Sequence, residues 1–496
     1  MILDGGTLSG TRRLATEVCV IGSGAGGMAA ASLLAQQGRS VVLLEEGNHF
    51  TPRDYPGYPL EMMRKLYRGG SLTVALGRPM IPLPLGKCVG GTTVINSGTC
   101  LRMRPETLAG YRERYGWRVT PAEMDECYGE VERVLGVQVP DAARVGENAR
   151  LLRQGAEKLG IAGGYLPRNA MSCEAHGGCC FGCPTQAKQS VDVSFLPPAL
   201  RAGLTLVTGC RAVAIRKGWR SRYHVLGLTS AGQKTTGHLR VAADRVVVAC
   251  GSVHTPGLLS RSGLGRVFPG LGGRLTIHPA VKLFALFPRV VRSWEGVPQS
   301  FYTHALVSEG ISIESITLPP DIGISALSFV GRRYREVMDR YAFMGCCGLM
   351  LQERGFGQVH SLPLYREPLV TYGLGRGDAA RIQKGMALIA RIFLAAGALE
   401  VYPGIPYLPV LRNESEVERF EGLRIRDQDL EMYGFHPLGT CRMAGPRRKG
   451  LVDEEMQLRD APGVYVADAS IFPKPLGVNP QLSIMAMAAW MAKRWP

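Results

Sequence analysis

Two clusters of residues in this 496-residue chain have the types and spacing that chemistry requires. The first is Gly22-Ser23-Gly24-Ala25-Gly26-Gly27, a G-x-G-x-x-G turn, with the acidic Glu45 placed 23 positions beyond its first glycine. Glycine suits such a turn because the chain must bend tightly and bring bare backbone against a ligand. The N–H groups opening the next helix then face an anion, and a pyrophosphate meets that demand. An acid about 20 residues further on can accept hydrogen bonds from a ribose hydroxyl. Gly22, Gly24, Gly27 and Glu45 are therefore the dinucleotide-binding candidates, although the turn alone does not separate FAD from NAD.

The second cluster is Cys173-x2-His176-x2-Cys179-Cys180-x2-Cys183-Pro184. It departs from the C-x2-C-x2-C-x3-C-P run of bacterial ferredoxins where histidine replaces the second cysteine and Cys180 is added. Thiolates so close in sequence can wrap an iron–sulfur cluster, 3Fe-4S or 4Fe-4S, on Cys173, Cys179 and Cys183 with His176 as a fourth ligand. The same four side chains suit a structural zinc, at tighter spacing than usual. Metal-free thiols, with a local bridge such as Cys179–Cys180, are the third reading. Spacing leaves all three open.

The elements that must position these residues are legible around the glycines. Glu17–Ile21 reads as a buried strand, residues 28–37 as an alanine-rich helix and Ser40–Leu44 as a second strand, which gives the glycine turn the context it needs. Residues 107–159 read as amphipathic helix. Leu204–Val207, Tyr223–Thr229 and Arg245–Ala249 read as strands, Asp378–Leu394 as a helix, and 463–492 as strand, Gly/Pro-rich loop and helix. The polar stretch 413–429 reads as a separator between two units.

Composition bounds the rest. A hydrophobic fraction of 46% with 20% charged residues describes a folded chain and excludes wholesale disorder. Its length is compatible with about three units at roughly 150 residues each. The formal charge of +17 is spread along the sequence without zinc-finger or helix-turn-helix spacing, so nucleic acid is not expected as a partner. No run approaches the roughly 20 apolar residues of a membrane span, so no transmembrane segment is expected. Thirteen cysteines in a chain this long do not suggest a disulfide-stapled secreted fold. A cytoplasmic location is the default expectation, with export alongside a partner subunit left open.

Four further segments carry a family resemblance. Gly86-Lys87-Cys88-Val89-Gly90-Gly91-Thr92-Thr93-Val94-Ile95-Asn96-Ser97-Gly98 resembles the first signature of the glucose–methanol–choline (GMC) oxidoreductases, and Cys250-Gly251-Ser252-Val253-His254-Thr255-Pro256-Gly257-Leu258-Leu259 resembles the second. Gly434-Phe435-His436-Pro437-Leu438-Gly439-Thr440-Cys441-Arg442-Met443 is similar to the family's histidine segment. Val464–Ser470 and Val478-Asn479-Pro480-Gln481 complete the series in family order. The branch resembled includes the long-chain alcohol oxidases and FAD-dependent alcohol and glucose dehydrogenases, the latter having a C-x5-C-x3-C segment with a three-iron cluster.

This resemblance implies an α/β and α+β protein, with a Rossmann-like FAD domain assembled from separated segments and a sheet-based substrate domain. The FAD domain is expected at 1–110, 190–277 and 430–496, the substrate domain at 278–429, and a helical, cysteine-rich insertion at 111–189. Gly90, Gly91, Asn96, Asp468 and Ala469 join the cofactor-binding set. Asp468 is expected at the start of the last helix, where it also reads as an N-cap. FAD is expected to be held non-covalently, because the first signature offers no histidine for a link.

By the same resemblance His436 is the catalytic histidine. Asn479 takes the second polar position, which is histidine in some members and asparagine in those similar to cholesterol oxidase and the long-chain alcohol oxidases. The activity implied is oxidation of an alcohol CH–OH group to a carbonyl, with hydride passing to flavin N5 and the hydroxyl proton to His436. Asn479 cannot titrate, so its role is to orient the oxygen. Electrons are expected to pass to a carrier, an acidic redox partner or small subunit, along the cysteine cluster. An oxygen-using oxidase, a flavin enzyme acting on a C–C bond of a steroid- or terpenoid-like ring, and an electron-transfer module are the alternatives. An apolar or ring-bearing alcohol is favoured, with Trp294, Phe301, Tyr302, Ile311, Ile313, Ile316, Phe329, Phe343 and Met344 as pocket candidates.

Overall fold

The computed structural model describes residues 1–219, 222–232, 234–266, 270–323, 327–362 and 365–496. Its first sheet has the strand order Ile2–Asp4, Thr205–Thr208, Val41–Leu44, Gly10–Ile21, Lys234–Val248, Tyr223–Ala231, Cys210–Lys217, and Val464–Val466 also pairs with Lys234–Val248. The pairs from Ile2–Asp4 through Lys234–Val248 are parallel, and the last two strands add an antiparallel hairpin. Ile21 lies opposite both Leu44 and Val248, and Leu44 opposite Val207, so these strands end together. A crevice at the carboxyl ends of parallel strands is where such sheets bind ligands.

The sequence dictates this arrangement simply. Val18–Ile21, Val41–Leu44 and Val246–Val248 are short β-branched and leucine runs buried on both faces, as parallel central strands require. The helices Ala25–Gln36 and Gln481–Lys493 pack on each other over the sheet, both rich in alanine and thus able to approach closely. Both belong to a first hydrophobic core that also takes in the helices Pro105–Tyr115 and Pro121–Leu135.

A second core lies under an antiparallel sheet ordered Glu400–Tyr402, Pro279–Leu286, Met344–Leu351, Ile311–Ser315, Phe301–Thr303, Gly163–Tyr165. The helices Glu147–Lys158 and Asp378–Ala395 cover it. Residues 111–189 therefore divide their helices between the two cores. The polar stretch read as a separator contains the helix Glu414–Glu421, which packs on Asp378–Ala395 with Val417 and Phe420 fully buried. Its polarity belongs to one helix face, while two apolar residues three apart suffice to dock the other. Among the described residues no helix is long and apolar enough to cross a membrane.

Candidate active site

One cavity of about 700 Å³ runs from the glycine turn to the histidine segment, and Gly22, Gly24, Glu45, Asn96, Asp468, Ala469, His436 and Asn479 all line it. At its first end Gly22 adopts φ +99°, and a side chain there would strike the Ala249 carbonyl. A Cβ on Gly26 would lie 1.8 Å from the Ala467 oxygen, and one on Gly27 1.9 Å from the Gly22 oxygen. These glycines are required for close packing. Gly24 differs: nothing lies within 4 Å of where its Cβ would be, and as N-cap of the helix it gives the first-turn N–H groups no side-chain partner. An open cradle before uncapped helix N–H groups is the environment a pyrophosphate fits.

Ser23 joins three of the sequence motifs. Its hydroxyl donates to Glu45 Oε2 at 2.7 Å and accepts the N–H of Gly90 at 3.1 Å, and its own N–H donates to Glu45 Oε2 at 3.0 Å. Glu45 Oε1 accepts the N–H of Gly47 at 2.7 Å. Burial raises the Glu45 carboxyl above its ordinary range, and these hydrogen bonds oppose the shift. Gly90 and Gly91 both have positive φ, and a Cβ on Gly91 would come within 2.9 Å of Gly24 Cα, so the first signature closes directly over the glycine turn.

Asp468 stands elsewhere than expected. It caps the three-residue turn Ala469–Ile471, ahead of the proline-rich stretch that delays the last helix to Gln481. Its Oδ1 accepts the Ser470 N–H, while Oδ2 accepts from Gly251 N–H at 2.9 Å and Thr255 Oγ1 at 2.5 Å. Its carboxylate therefore ties the second signature to the last segment. Asn96 donates to Gln481 Oε1 at 2.8 Å, and Gln481 Nε2 donates to the Thr99 carbonyl, so the first signature and the last helix are held together as well.

The other end of the cavity is set by sheet register. Pro279 pairs with Gly434 and Ala280 with Tyr433, antiparallel, and the pairing continues as His436 N–H donates to the Ile277 carbonyl. That register puts His278 beside His436, with Nδ1 to Nδ1 at 3.2 Å and the rings nearly perpendicular at 81°. His278 Nε2 accepts the N–H of Gly477, two residues before Asn479, at 3.0 Å. The Gly477 carbonyl accepts from Arg104 Nη2 at 2.9 Å and Ser312 Oγ at 3.1 Å, so the Asn479 loop is pinned from three sides. Glu353 Oε1 accepts the N–H groups of Ile277 and His278. Desolvation lowers His436 to about 4 and pushes His278 well below the usual imidazole range, so both rings are neutral near neutrality.

Sequence reading left His278 unassigned and did not single out Glu314, another cavity residue. The recoverable signal for His278 is its place just before Pro279–Leu286; Glu314 sits in the otherwise buried strand Ile311–Ser315. Of the proposed pocket residues Ile316 lines the cavity, whereas Phe301, Ile311 and Ile313 are second-core residues.

The cysteine cluster does not converge. Among the described residues no group of three or more His, Cys, Asp or Glu side chains is arranged to hold a metal ion. His176 turns outward to Glu174 at 2.9 Å, while Cys179 is buried against Arg168 Nη2 at 3.4 Å. Cys183 Sγ accepts the Lys188 N–H, and Cys173 Sγ accepts that of Ala175, each at 3.4 Å. All these thiols are free, including adjacent Cys179 and Cys180. As placed, these four side chains do not fit a cluster or zinc.

Comparison with known proteins agrees with this architecture. Residues 63–280 and 363–488 match family models described as GMC oxidoreductase, and residues 20–64 match one described as NAD(P)-binding Rossmann-like domain. An uncharacterised GMC-type oxidoreductase of Mycobacterium tuberculosis is 39% identical over 99% of this chain and 77% of its own length. A long-chain-alcohol oxidase of Arabidopsis thaliana is 29% identical over 98% of this chain and 67% of its own. Among solved structures, pyridoxine 4-oxidase from Mesorbium loti superposes with a TM-score of 0.72 at 17% identity, covering 97% of this chain and 99% of that one. A formate oxidase of Aspergillus oryzae, studied for modification of its FAD, gives 0.70 at 16% identity over 98% of each chain.

Proposed function

Since the chain belongs to the GMC oxidoreductase family, we propose that it is an FAD-dependent enzyme oxidising an alcohol CH–OH group to a carbonyl. The observation carrying this reading is the single cavity that joins an open glycine cradle to His436, His278 and Asn479. Gly22, Gly24, Glu45, Gly91, Asn96, Asp468 and Ala469, which line that cavity, are the residues we assign to holding the FAD, non-covalently, while Gly27 and Gly90 shape the site through the packing of the glycine turn and the Ser23 hydrogen bond. When bound, FAD supplies an acceptor for the hydride leaving the alcohol carbon.

The chain's own groups handle the oxygen. His436 and Asn479 line the cavity together and are the two groups assigned to engage the hydroxyl, the amide having a buried Oδ1 with no partner within the protein. Holding that oxygen at two points orients the C–H bond and removes the entropy of an unguided encounter. The apolar lining of Ile316, Leu318, Leu349 and Met350 supports a hydrophobic alcohol and excludes water from the reacting carbon. The domain limits given from the sequence are proposed as the division between cofactor and substrate binding.

The relatives named alcohol oxidases favour oxygen as the electron acceptor. The sequence-based preference for a protein carrier rested on an iron–sulfur cluster whose ligands are not assembled here. A panel of long-chain, aromatic and steroid alcohols, mixed anaerobically with the holoprotein, should bleach the flavin with at least one member. His436→Ala should retain FAD and lose that bleaching. Stoichiometric peroxide under air assigns oxygen, and turnover only with an added dye assigns a carrier. A flavin that no alcohol reduces overturns the reading.

A further inference from the structure

The cysteine segment is a closed loop built over positive charge. Its neck is the antiparallel bridge of Ala170 with Lys188, continued where Met171 N–H donates to the Ala187 carbonyl. Two cations are buried at this neck, Arg168 and Lys188. Lys188 Nζ donates to the carbonyls of Val94 at 2.6 Å, Asn96 at 2.8 Å and Cys179 at 2.6 Å, which uses all three hydrogens of an ammonium. Arg168 Nη2 donates to the Ser97 carbonyl and lies 3.4 Å from Cys179 Sγ, while its Nε and Nη1 have no partner. None of these partners is a carboxylate, and a buried cation is costly unless charge answers it. Burial lowers the Lys188 amine, opposed by Cys179, Cys180, Cys183 and then Asp192, so the loop's thiols are the main groups that answer it.

The four thiols differ in access. Cys179 is buried against Arg168, and burial pushes the Cys180 thiol up to about 11. Cys173 and Cys183 are half-buried and lie beside the neck. Cys183 Sγ accepts the Lys188 N–H at 3.4 Å, and Cys173 follows Ala170, the residue bridged to Lys188, by three positions. Burial raises the Cys173 thiol, and charge on Cys179 or Cys183 raises it further, so these sulfurs are neighbours. Ser172, Ala175 and Gln186 hold left-handed φ values of 51°, 63° and 53°, a conformation costly for residues with a Cβ. Strain therefore flanks both accessible thiols.

We propose that Cys173 and Cys183 are a reversible oxidation site, joined as a disulfide by hydrogen peroxide, and that this bond loosens the hold of the first signature on FAD. Only the second half rests on the FAD reading above. Cys183, within the field of the Lys188 ammonium, attacks first, since a neighbouring cation favours the reacting thiolate. Its sulfur bonds to one peroxide oxygen, the O–O bond breaks, and the departing hydroxide leaves as water with the thiol's proton. The Cys173 thiolate then attacks the sulfenic sulfur, the S–O bond breaks, and the second hydroxide leaves as water with the Cys173 proton. Two thiols and one peroxide thus give one disulfide and two waters, with two electrons passing from sulfur to oxygen. Oxygen acting as the electron acceptor leaves peroxide in the cavity that Cys180 and Phe181 line.

The coupling to FAD runs through hydrogen bonds already named. The disulfide takes Cys183 Sγ from the Lys188 N–H and Cys173 Sγ from the Ala175 N–H. The displaced neck carries Lys188 and Arg168, which hold the carbonyls of Asn96 and Ser97 in the cavity wall. Tyr67, another wall residue, donates to the Cys180 carbonyl at 2.7 Å and follows the loop as well.

The test treats reduced, FAD-loaded protein with hydrogen peroxide, so it needs no alcohol substrate. Cleavage after Arg168, Glu174 and Lys188 puts Cys173 and Cys183 on separate peptides unless a disulfide joins them. Mass spectrometry without reductant should find them joined, and dithiothreitol should part them. Cys173 on an unlinked peptide, or linked to Cys179 or Cys180, overturns the site. In Cys173→Ser, dimedone should trap sulfenic acid on Cys183, and its absence there overturns the order of attack. Oxidation should speed FAD release on dilution by about fivefold, the worth of one hydrogen bond. The gain should reverse with dithiothreitol and be missing in Cys173→Ser and Cys183→Ser. A disulfide that forms with FAD release unchanged overturns the coupling, and faster release that persists in both variants assigns the effect to another residue.

Discussion

The hydroxyl of Ser23 stands 2.7 Å from the Glu45 carboxylate and 3.1 Å from the Gly90 nitrogen, so one small side chain locks the glycine turn, the end of the second parallel strand and the first family signature together. Ser23→Ala removes a donor to a buried carboxyl and an acceptor for a buried N–H. It should destabilise the protein by about 1–3 kcal/mol and weaken FAD retention, measured by thermal unfolding and by flavin released on dilution.

Gly24 and Gly26 stand two residues apart and should fail in opposite ways. Gly24→Ala meets no atom within 4 Å, so the apoprotein should fold while FAD binds more weakly, because the added methyl fills the cradle. Gly26→Ala would press a Cβ against the Ala467 carbonyl at 1.8 Å and should abolish soluble, folded protein. Expression, circular dichroism and flavin content of the two variants separate the outcomes.

Arg104 acts on the site from behind. It donates to the carbonyls of Gly477 and Val307 at 2.9 and 3.2 Å, and Gly477 in turn faces His278. Arg104→Ala should leave FAD bound but let the Asn479 loop drift, lowering kcat by about ten- to a hundredfold, since small misplacements of positioning groups cost that much. Flavin content paired with single-turnover reduction checks it.

Stability should fall as pH rises above about 6.5. Burial raises Glu314 to about 7 and Glu353 to about 8, so the folded state holds protons that the unfolded chain has already released. That stabilisation is complete below the unfolded carboxyl value of about 4.5 and is lost as pH climbs through 7 to 8. His436 and His278 are depressed and work the other way, losing stability as pH falls below about 6.5, so they do not contribute above it. Glu314 alone accounts for roughly 3 kcal/mol across its window. Urea unfolding at pH 6.5 and 8.5 should show the decline, and Glu314→Gln should reduce it.

Cys173→Ser with His176→Ala should leave the visible spectrum and the unfolding midpoint essentially unchanged, because the two side chains share no ligand set with Cys179 and Cys183. Loss of broad visible absorbance, or of bound iron and acid-labile sulfide, would restore the metal reading.

What the residues alone determined is the local chemistry whose rules act within a few positions. The glycine turn, the flanking valine and leucine strands, the alanine-rich helices and the buried strand at 464–466 follow from steric freedom, burial and periodicity, and family order placed His436 and Asn479. Spacing likewise suggested a metal site at 173–183, because sequence records proximity along the chain and not direction. Only the tertiary structure turned His176 to solvent and Cys179 inward to Arg168. Only the antiparallel register of Pro279 with Gly434 brought His278 against His436 across 158 residues, and only the packing of separate strands and loops set Glu314 beside Asn479. Proton placement depends on which donors and acceptors meet in space, and that meeting is set by how sheets and loops from distant parts of the chain close on one cavity.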